Sequence, residues 1–334
     1  MTSRPALARA AGCEPAVADW IAAVEQVSAG LPDLGSADLS RRRRAARALA
    51  DTLATRFTLP GPVECVVTEH RVPTRAGDVT VVSYRPPGND RPRPAHLSIH
   101  GGGFVHGGVH ELVNERLLRR RAVDSGFDHF AVEYRLAPEH PFPAGLEDCL
   151  DVLTWLSASA AELGIDADRI GVGGASAGGN LAALVAVNAR DNGGPALDHQ
   201  VLEVPAASLD IIRDDSYRDY GALEDIGDLS LLRAAYLGTS GPVDGWTAPA
   251  DVPDLTGLPP VLVITAECDP LRDSGQAYAA RLAAAGVAVE AWCAPGQAHG
   301  SAGITRTSAT AREWQDRAAA FLRSRALHAA TTTA

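Results

Sequence analysis

The chain has 334 residues, of which 46% are hydrophobic and 21% charged, so it is long enough for one large α/β domain with an appended subdomain. Its formal net charge of −11 argues against a nucleic-acid-binding surface, which needs a basic footprint. The five cysteines are odd in number and lack Cys-x-x-Cys spacing, which favours free thiols over a disulfide framework.

Two helical patterns open the chain. In the first, apolar residues recur at helical spacing between residues 17 and 27. The second, over residues 39–57, has an apolar stripe, and the arginines at 41–44 lie on the other faces. We interpret this basic run as a solvated helix face, with contact to anionic lipid as the alternative. No apolar run is long enough to span a bilayer, so we expect a cytoplasmic protein without stable membrane insertion.

Eight strand-like runs follow, at residues 63–67, 79–84, 95–99, 129–134, 169–173, 200–204, 261–265 and 287–293. The later runs alternate with helical segments, as a mainly parallel α/β sheet requires. An early hairpin is predicted through Gly77-Asp78. Between the sixth and seventh runs, residues 209–253 are too many for a simple connection, and we interpret this insertion as a lid.

A glycine loop, His100-Gly101-Gly102-Gly103-Phe104, directly follows the third strand-like run. Acyl transfer needs backbone N–H groups aimed at one oxygen, and a loop of glycines lets the backbone approach without a Cβ in the way. A loop of this type completes the oxyanion hole in lipases and esterases.

The stretch Gly174-Ala175-Ser176-Ala177-Gly178 is typical of a nucleophile elbow. A strand leads into it and a helical segment leaves it, and small residues on both sides of the serine suit the strained turn. The helix N-terminus behind Ser176 favours developing negative charge. Residues 171–176 also half-match a dinucleotide fingerprint, but serine replaces its third glycine, and Asp191, the acid about 20 residues on, falls at a helix end.

Two partners for Ser176 follow in the chain. The seventh strand-like run leads to Asp269, at the strand end where parallel sheets place their ligands. His299 lies on a glycine-flanked loop after the eighth run. There it could take the proton from Ser176 while Asp269 orients its imidazole. The chain order Ser, Asp, His is the α/β-hydrolase order.

Other titratable residues compete for these roles. Glu267 and Asp273 are alternatives to Asp269; we expect Asp273 to be exposed or to cap a helix, and the role of Glu267 stays open. His328 is an alternative to His299 but lies near the chain end. Three histidines on the glycine loop suggest a metal site, but without zinc-type spacing we expect structural roles: His100, His106 and His110. We expect ion pairs to fix this loop, involving three residues: Arg135, Glu139 and Asp148.

Two further phrases are specific: Tyr-Arg-Leu-Ala-Pro-Glu-His-Pro-Phe-Pro-Ala at 134–144 and Asp-Pro-Leu-Arg-Asp at 269–273. With the glycine loop and the elbow, they make the chain resemble the hormone-sensitive-lipase-like family of α/β-hydrolase carboxylesterases over about residues 60–325. The resemblance implies an α/β-hydrolase fold, an eight-stranded mostly parallel sheet flanked by helices, with a helical cap. It implies a short- to medium-chain ester as the small-molecule substrate, and no cofactor or metal.

The same resemblance assigns roles to residues. Ser176 would be the nucleophile, His299 the general base and then acid, and Asp269 the orienting acid. The oxyanion donors would be the N–H groups of Gly102, Gly103 and Ala177. The cap would combine residues 1–60 with the insertion 209–253, and the catalytic core would comprise residues 61–208 and 254–330.

Three positions depart from the common family pattern: Ala175 for aspartate, Ser274 for glutamate and Ser301 for phenylalanine. These departures bear on the predicted substrate range and loop packing, and none of them removes a member of the triad. An acyltransferase or natural-product tailoring enzyme with the same triad stays open, as does a non-catalytic ligand-binding relative. The sequence also leaves open whether the chain forms a homodimer. Five aromatic residues could line the substrate pocket or pack in the core: Trp20, Tyr217, Tyr220, Tyr236 and Trp246.

Overall fold

The computed structural model describes residues 3–88, 92–223, 229–238 and 246–332. Within these ranges one sheet contains eight strands: β1 (Val66–Thr74), β2 (Gly77–Arg85), β3 (Arg93–Ile99), β4 (Asp128–Val132), β5 (Ile165–Ala175), β6 (Gln200–Glu203), β7 (Val261–Cys268) and β8 (Val289–Ala298). Their order is β1-β2-β4-β3-β5-β6-β7-β8. The pairs β1–β2 and β2–β4 are antiparallel and the other pairs are parallel. The predicted eight-stranded, mostly parallel sheet is therefore confirmed.

Two predictions at the start of the sheet are wrong in detail. The first strand was expected at residues 63–67, but β1 begins at Val66 and continues to Thr74. The polar, largely exposed sequence of this edge strand hides it from a search for apolar runs. The hairpin turn lies at Arg75-Ala76, because Thr74 pairs with Gly77, which already begins β2.

Eleven α-helices are found in the described ranges: α1 (Arg4–Ala10), α2 (Pro15–Ser28), α3 (Leu39–Phe57), α4 (Leu112–Ser125), α5 (Ala144–Ala158), α6 (Ala160–Leu163), α7 (Ala177–Asp191), α8 (Asp215–Tyr220), α9 (Leu229–Leu237), α10 (Arg272–Ala284) and α11 (Ala309–Thr332). The predicted insertion contains α8 and α9. Each helix in these ranges is too short or too polar to traverse a lipid bilayer.

The central strands of the sheet are buried on both faces, as in a parallel sheet between helices. In β7, Val261 and Val263 pack into the cluster formed with α5, α7 and α10. Leu262 and Ile264 pack on the other face, against side chains of α11. All four are at most 1% exposed. This double burial explains the uninterrupted apolar run that predicts β7 in the sequence.

Three of the buried histidines lie side by side: His96, His129 and His199. Nδ1 of His96 lies 2.9 Å from Nε2 of His199, and Nδ1 of His129 lies 3.1 Å from Oγ of Ser98. Burial lowers the pKa of all three below the ordinary histidine value, and that of His129 to about 3. The folded protein therefore holds them as neutral imidazoles at neutral pH.

We expect this cluster to make the protein less stable in acid. In the unfolded chain these histidines take up protons below about pH 6.5, whereas in the folded protein His129 resists protonation until about pH 3. The free energy of unfolding therefore falls between these values, by about 2 kcal/mol at pH 5 for His129 alone. Urea unfolding at pH 7 and pH 5 measures the loss. A His129→Gln variant should lose less stability between the two pH values; an equal loss in both proteins would refute this assignment.

Candidate active site

Ser176 stands at a sharp turn between β5 and α7, with φ 56° and ψ −118°. Few non-glycine residues adopt a positive φ, so the backbone is strained here. The space around the turn is small: a Cβ on Gly174 would lie 2.5 Å from the carbonyl oxygen of Ile99, and one on Gly178 only 2.1 Å from it. The predicted strand, turn and helix are present, and close packing accounts for both glycines.

The glycine loop lies against this turn because β3 and β5 are parallel neighbours. Ile99, the last residue of β3, pairs with Gly174 near the end of β5, so both strands end at the same edge of the sheet. A Cβ on Gly101 would lie 2.9 Å from the carbonyl oxygen of Ala175. Gly102 has φ +120°, a conformation that side-chain-bearing residues rarely adopt. The loop thus brings bare backbone beside Ser176.

Asp269 and His299 meet for the same reason on the other side. Cys268 of β7 pairs with Ala298 of β8, and the next residue of each strand is the carboxylate or the histidine. Nδ1 of His299 lies 2.8 Å from Oδ2 of Asp269, and its Nε2 lies 2.9 Å from Oγ of Ser176. The structure therefore brings the three predicted residues into one hydrogen-bonded chain.

The carboxylate of Asp269 is fully buried and has a second partner. Its Oδ1 accepts a hydrogen bond of 2.7 Å from the backbone N–H of Leu271. This contact fixes the carboxylate, so that Oδ2 faces the imidazole of His299. An anion held in this way favours the histidine tautomer with its proton on Nδ1, which leaves Nε2 free to accept the proton of Ser176.

The turn that carries His299 is held by Ser301, a position where the resemblance leads one to expect phenylalanine. The buried Ser301 hydroxyl accepts a hydrogen bond from the N–H of Ala298 and lies 2.8 Å from Oε1 of Gln297. Trp20 of α2 covers the outside of the turn, with its ring 3.4 Å from the position of a Cβ on Gly300. Ser301 therefore holds the turn by hydrogen bonds that a phenylalanine side chain could not make.

The competing acids have other partners. Glu267 accepts a hydrogen bond of 2.7 Å from the N–H of Gly296, so it joins the ends of β7 and β8. Asp273 accepts from the N–H of Ser216 at 2.8 Å and pairs with the neighbouring Arg272, so it ties α10 to the inserted helix α8. His328 lies outside the residues whose side chains are described.

The histidines of the glycine loop have local contacts. The His100 ring stacks on Tyr134 at 4.3 Å, and its Nδ1 lies 2.8 Å from the carbonyl oxygen of Gly101. His110 lies 3.7 Å from the carboxylate of Glu69. Within the described ranges, no set of three or more His, Cys, Asp and Glu side chains is placed to hold a metal ion.

All three expected residues form ion pairs behind the glycine loop, but one of their partners comes from outside this set. Arg135 pairs with the buried Asp148, as predicted. Glu139, however, pairs with Arg43 of α3 at 2.7 Å, and Arg43 also donates to the carbonyl oxygens of Val105 and Ala137. The interpretation of the arginine run as a solvated face is therefore wrong for Arg43, which holds the N-terminal helices against the glycine loop.

The inserted helix α9 covers the other side of the glycine loop. Tyr236, a candidate for either pocket or core, is 4% exposed and stacks on Phe104, the residue after the glycines. Leu232 lies over Gly103, with a methyl carbon 3.1 Å from the position of a Cβ there. The sequence does not distinguish Leu232 from its neighbour Leu231, because the two side chains are the same. In the structure Leu231 is 67% exposed.

This geometry, at the C-terminal edge of this sheet, defines a serine hydrolase of the α/β-hydrolase class. Residues 96–303 match the protein family described as the α/β-hydrolase fold, and the chain belongs to that family. The chain is 39% identical to carboxylesterase NlhH of Mycobacterium tuberculosis over 257 residues, which cover 75% of this chain and 80% of that protein.

Two solved structures agree with this assignment. A hyperthermophilic esterase from the archaeon Pyrobaculum calidifontis matches with a TM-score of 0.81 and 34% identity, over 92% of this chain and 97% of that one. A bacterial heroin esterase matches with a TM-score of 0.79 and 36% identity, over 91% and 97%. The predicted family is confirmed, and the protein is a carboxylesterase-type serine hydrolase.

Proposed function

We propose that the protein hydrolyses carboxylic esters of short to medium acyl chain through an acyl-enzyme on Ser176. The observation that carries this proposal is the continuous hydrogen-bonded chain from Ser176 through His299 to the buried Asp269. A lone serine hydroxyl is a poor nucleophile at neutral pH, and a neighbouring base that is itself oriented by an anion activates it.

The reaction proceeds in two halves. Oγ of Ser176 attacks the ester carbonyl carbon while Nε2 of His299 takes its proton, and the carbonyl oxygen becomes an oxyanion. The C–O bond to the alcohol then breaks, and His299 returns the proton to the departing alcohol oxygen. Water attacks the acyl-enzyme by the same route, which releases the acid and restores Ser176.

We assign the oxyanion donors to the backbone N–H groups of Gly102, Gly103 and Ala177. Two observations support the assignment: the glycine loop lies against the Ser176 turn, and Ala177 is the first residue of α7. The first N–H groups of a helix have no partner within the helix, and its dipole favours negative charge. Such donors stabilise the transition state by about 3 kcal/mol each.

We further assign residues 1–60 and 209–253 to a cap over a core formed by residues 61–208 and 254–330. The N-terminal helices and the insertion touch at Arg4, whose guanidinium donates two hydrogen bonds to the carbonyl oxygen of Leu223. Both parts also reach the site, through Trp20 at Gly300 and Leu232 at Gly103. A cytoplasmic location stays a prediction of the sequence, and homodimer formation stays open.

Hydrolysis of p-nitrophenyl esters from acetate to dodecanoate tests the substrate proposal. We expect wild-type turnover to peak at short or medium chains, and to be lost in Ser176→Ala. The products formed with added alcohol separate hydrolysis from acyl transfer: the free acid should predominate over the new ester. Turnover that persists in Ser176→Ala, or a maximum at the longest chain, would contradict the proposal.

A further inference from the structure

Helix α9 is anchored on the glycine loop by its aromatic residue, Tyr236. The ring of Tyr236 stacks on Phe104 with centroids 3.7 Å apart and planes inclined by 16°. Its carbonyl oxygen accepts a hydrogen bond of 2.7 Å from the N–H of Phe142. Because Tyr236 is buried and Phe104 directly follows Gly103, this contact fixes the helix beside the proposed oxyanion donors.

Leu232 lies four residues before Tyr236 and therefore on the same face of α9. Its two methyl carbons lie 3.1 and 3.3 Å from the position that a Cβ on Gly103 would occupy. The side chain is only half-buried, so part of it stays exposed beside the loop. Leu231, the adjacent residue, is 67% exposed. Among the described residues of α9, Leu232 is the apolar side chain in contact with the glycine that we place at the reacting carbonyl.

The proposed reaction assigns a side of the carbonyl carbon to each of its substituents. The oxyanion faces the backbone N–H groups of the glycine loop. The leaving alcohol must lie near Nε2 of His299, because this nitrogen protonates it. The His299 turn is covered by Trp20, which contacts Gly300. An acyl chain on the side of the carbonyl carbon away from His299 would run along the glycine loop, and the side chain over Gly103 is Leu232 rather than Trp20.

We infer that Leu232 limits the length of the acyl group; this inference rests on the proposed function. A branched side chain held over Gly103 leaves room for a short acyl chain and obstructs a longer one. One extra or missing methylene in an apolar pocket changes kcat/KM by about 10- to 200-fold. Leu232 is therefore a specificity-determining residue and takes no part in proton transfer.

The test compares kcat/KM for p-nitrophenyl octanoate and acetate in three variants. Leu232→Ala should raise the octanoate-to-acetate ratio by about 10-fold or more, because it removes the obstruction. Leu232→Phe should lower the ratio. Leu231→Ala, the matched control on the same helix, should leave it unchanged. Thermal unfolding of each variant verifies that α9 and the cap are still folded.

A second series, acetates of alcohols of increasing size, separates the acyl side from the alcohol side. The inference requires this alcohol profile to stay unchanged in Leu232→Ala. A changed alcohol profile with a constant acyl profile, or no change in either, would overturn the inference while the enzyme remains an esterase. A wild type that hydrolyses no ester overturns the proposed function and the inference with it.

Discussion

Asp269→Asn should lower kcat by about 10⁴-fold while the protein stays folded. Asp269 uses both carboxylate oxygens, one for the N–H of Leu271 and one for Nδ1 of His299. The asparagine side chain has only one oxygen, so it cannot accept both hydrogen bonds. If this oxygen stays on Leu271, the amide N–H₂ faces Nδ1 of His299 and forces the proton to Nε2, where it blocks transfer from Ser176. If the amide turns, it opposes the N–H of Leu271, at a cost of about 1–3 kcal/mol.

Steady-state kinetics with p-nitrophenyl acetate measures this effect, and circular dichroism checks the fold. The matched control is Asp273→Asn, because Asp273 lies four residues away and contacts Ser216 and Arg272. We expect the control to keep its turnover. Equal losses in the two variants would mean that the orienting role of Asp269 is wrong.

Gly102→Ala should lower kcat by about 10²- to 10³-fold, the loss typical of a disrupted oxyanion hole. Its Cβ would lie 2.1 Å from the carbonyl oxygen of His106, which is backbone and cannot move aside cheaply. Because φ is +120° at this residue, the substitution is also strained. The loop must therefore shift, and its N–H groups then no longer point at the oxyanion.

Gly103→Ala is the matched control for this prediction. The three heavy atoms nearest to a Cβ there belong to the flexible Leu232 side chain, the nearest at 3.1 Å. The φ of +58° lies in the left-handed region that alanine reaches at about 1–2 kcal/mol. We expect a much smaller loss of kcat than for Gly102→Ala. Full activity of Gly102→Ala, or identical losses in both variants, would contradict the proposed oxyanion hole.

The parts of the site that the sequence predicts are those carried by short motifs next to buried strands. Ser176, Asp269 and His299 each follow a predicted strand, and the carboxyl ends of parallel strands meet at one edge of a sheet. The register of Ile99 with Gly174 brings the glycine loop beside Ser176, and that of Cys268 with Ala298 brings Asp269 beside His299. Strand β6 pairs with both β5 and β7 and so aligns the two halves of the site. Local sequence thus determined the order and the approximate position of the chemistry.

The contacts between distant segments could not be predicted in this way. The pair of Arg43 and Glu139 joins residues 96 positions apart, and a run of arginines looks the same whether one of them is paired or all are solvated. Leu231 and Leu232 are chemically identical, and only the anchoring of α9 through Tyr236 distinguishes them. Edge strand β1 lacks an apolar run, so its start was predicted three residues early.

The central claim is that Ser176 is the nucleophile. The most direct measurement is mass spectrometry of wild type and Ser176→Ala after reaction with a fluorophosphonate. The account predicts one phosphonyl group on wild type, located on the peptide that contains Ser176, and none on the variant. Labelling of another residue in the wild type, or equal labelling of Ser176→Ala, would contradict it.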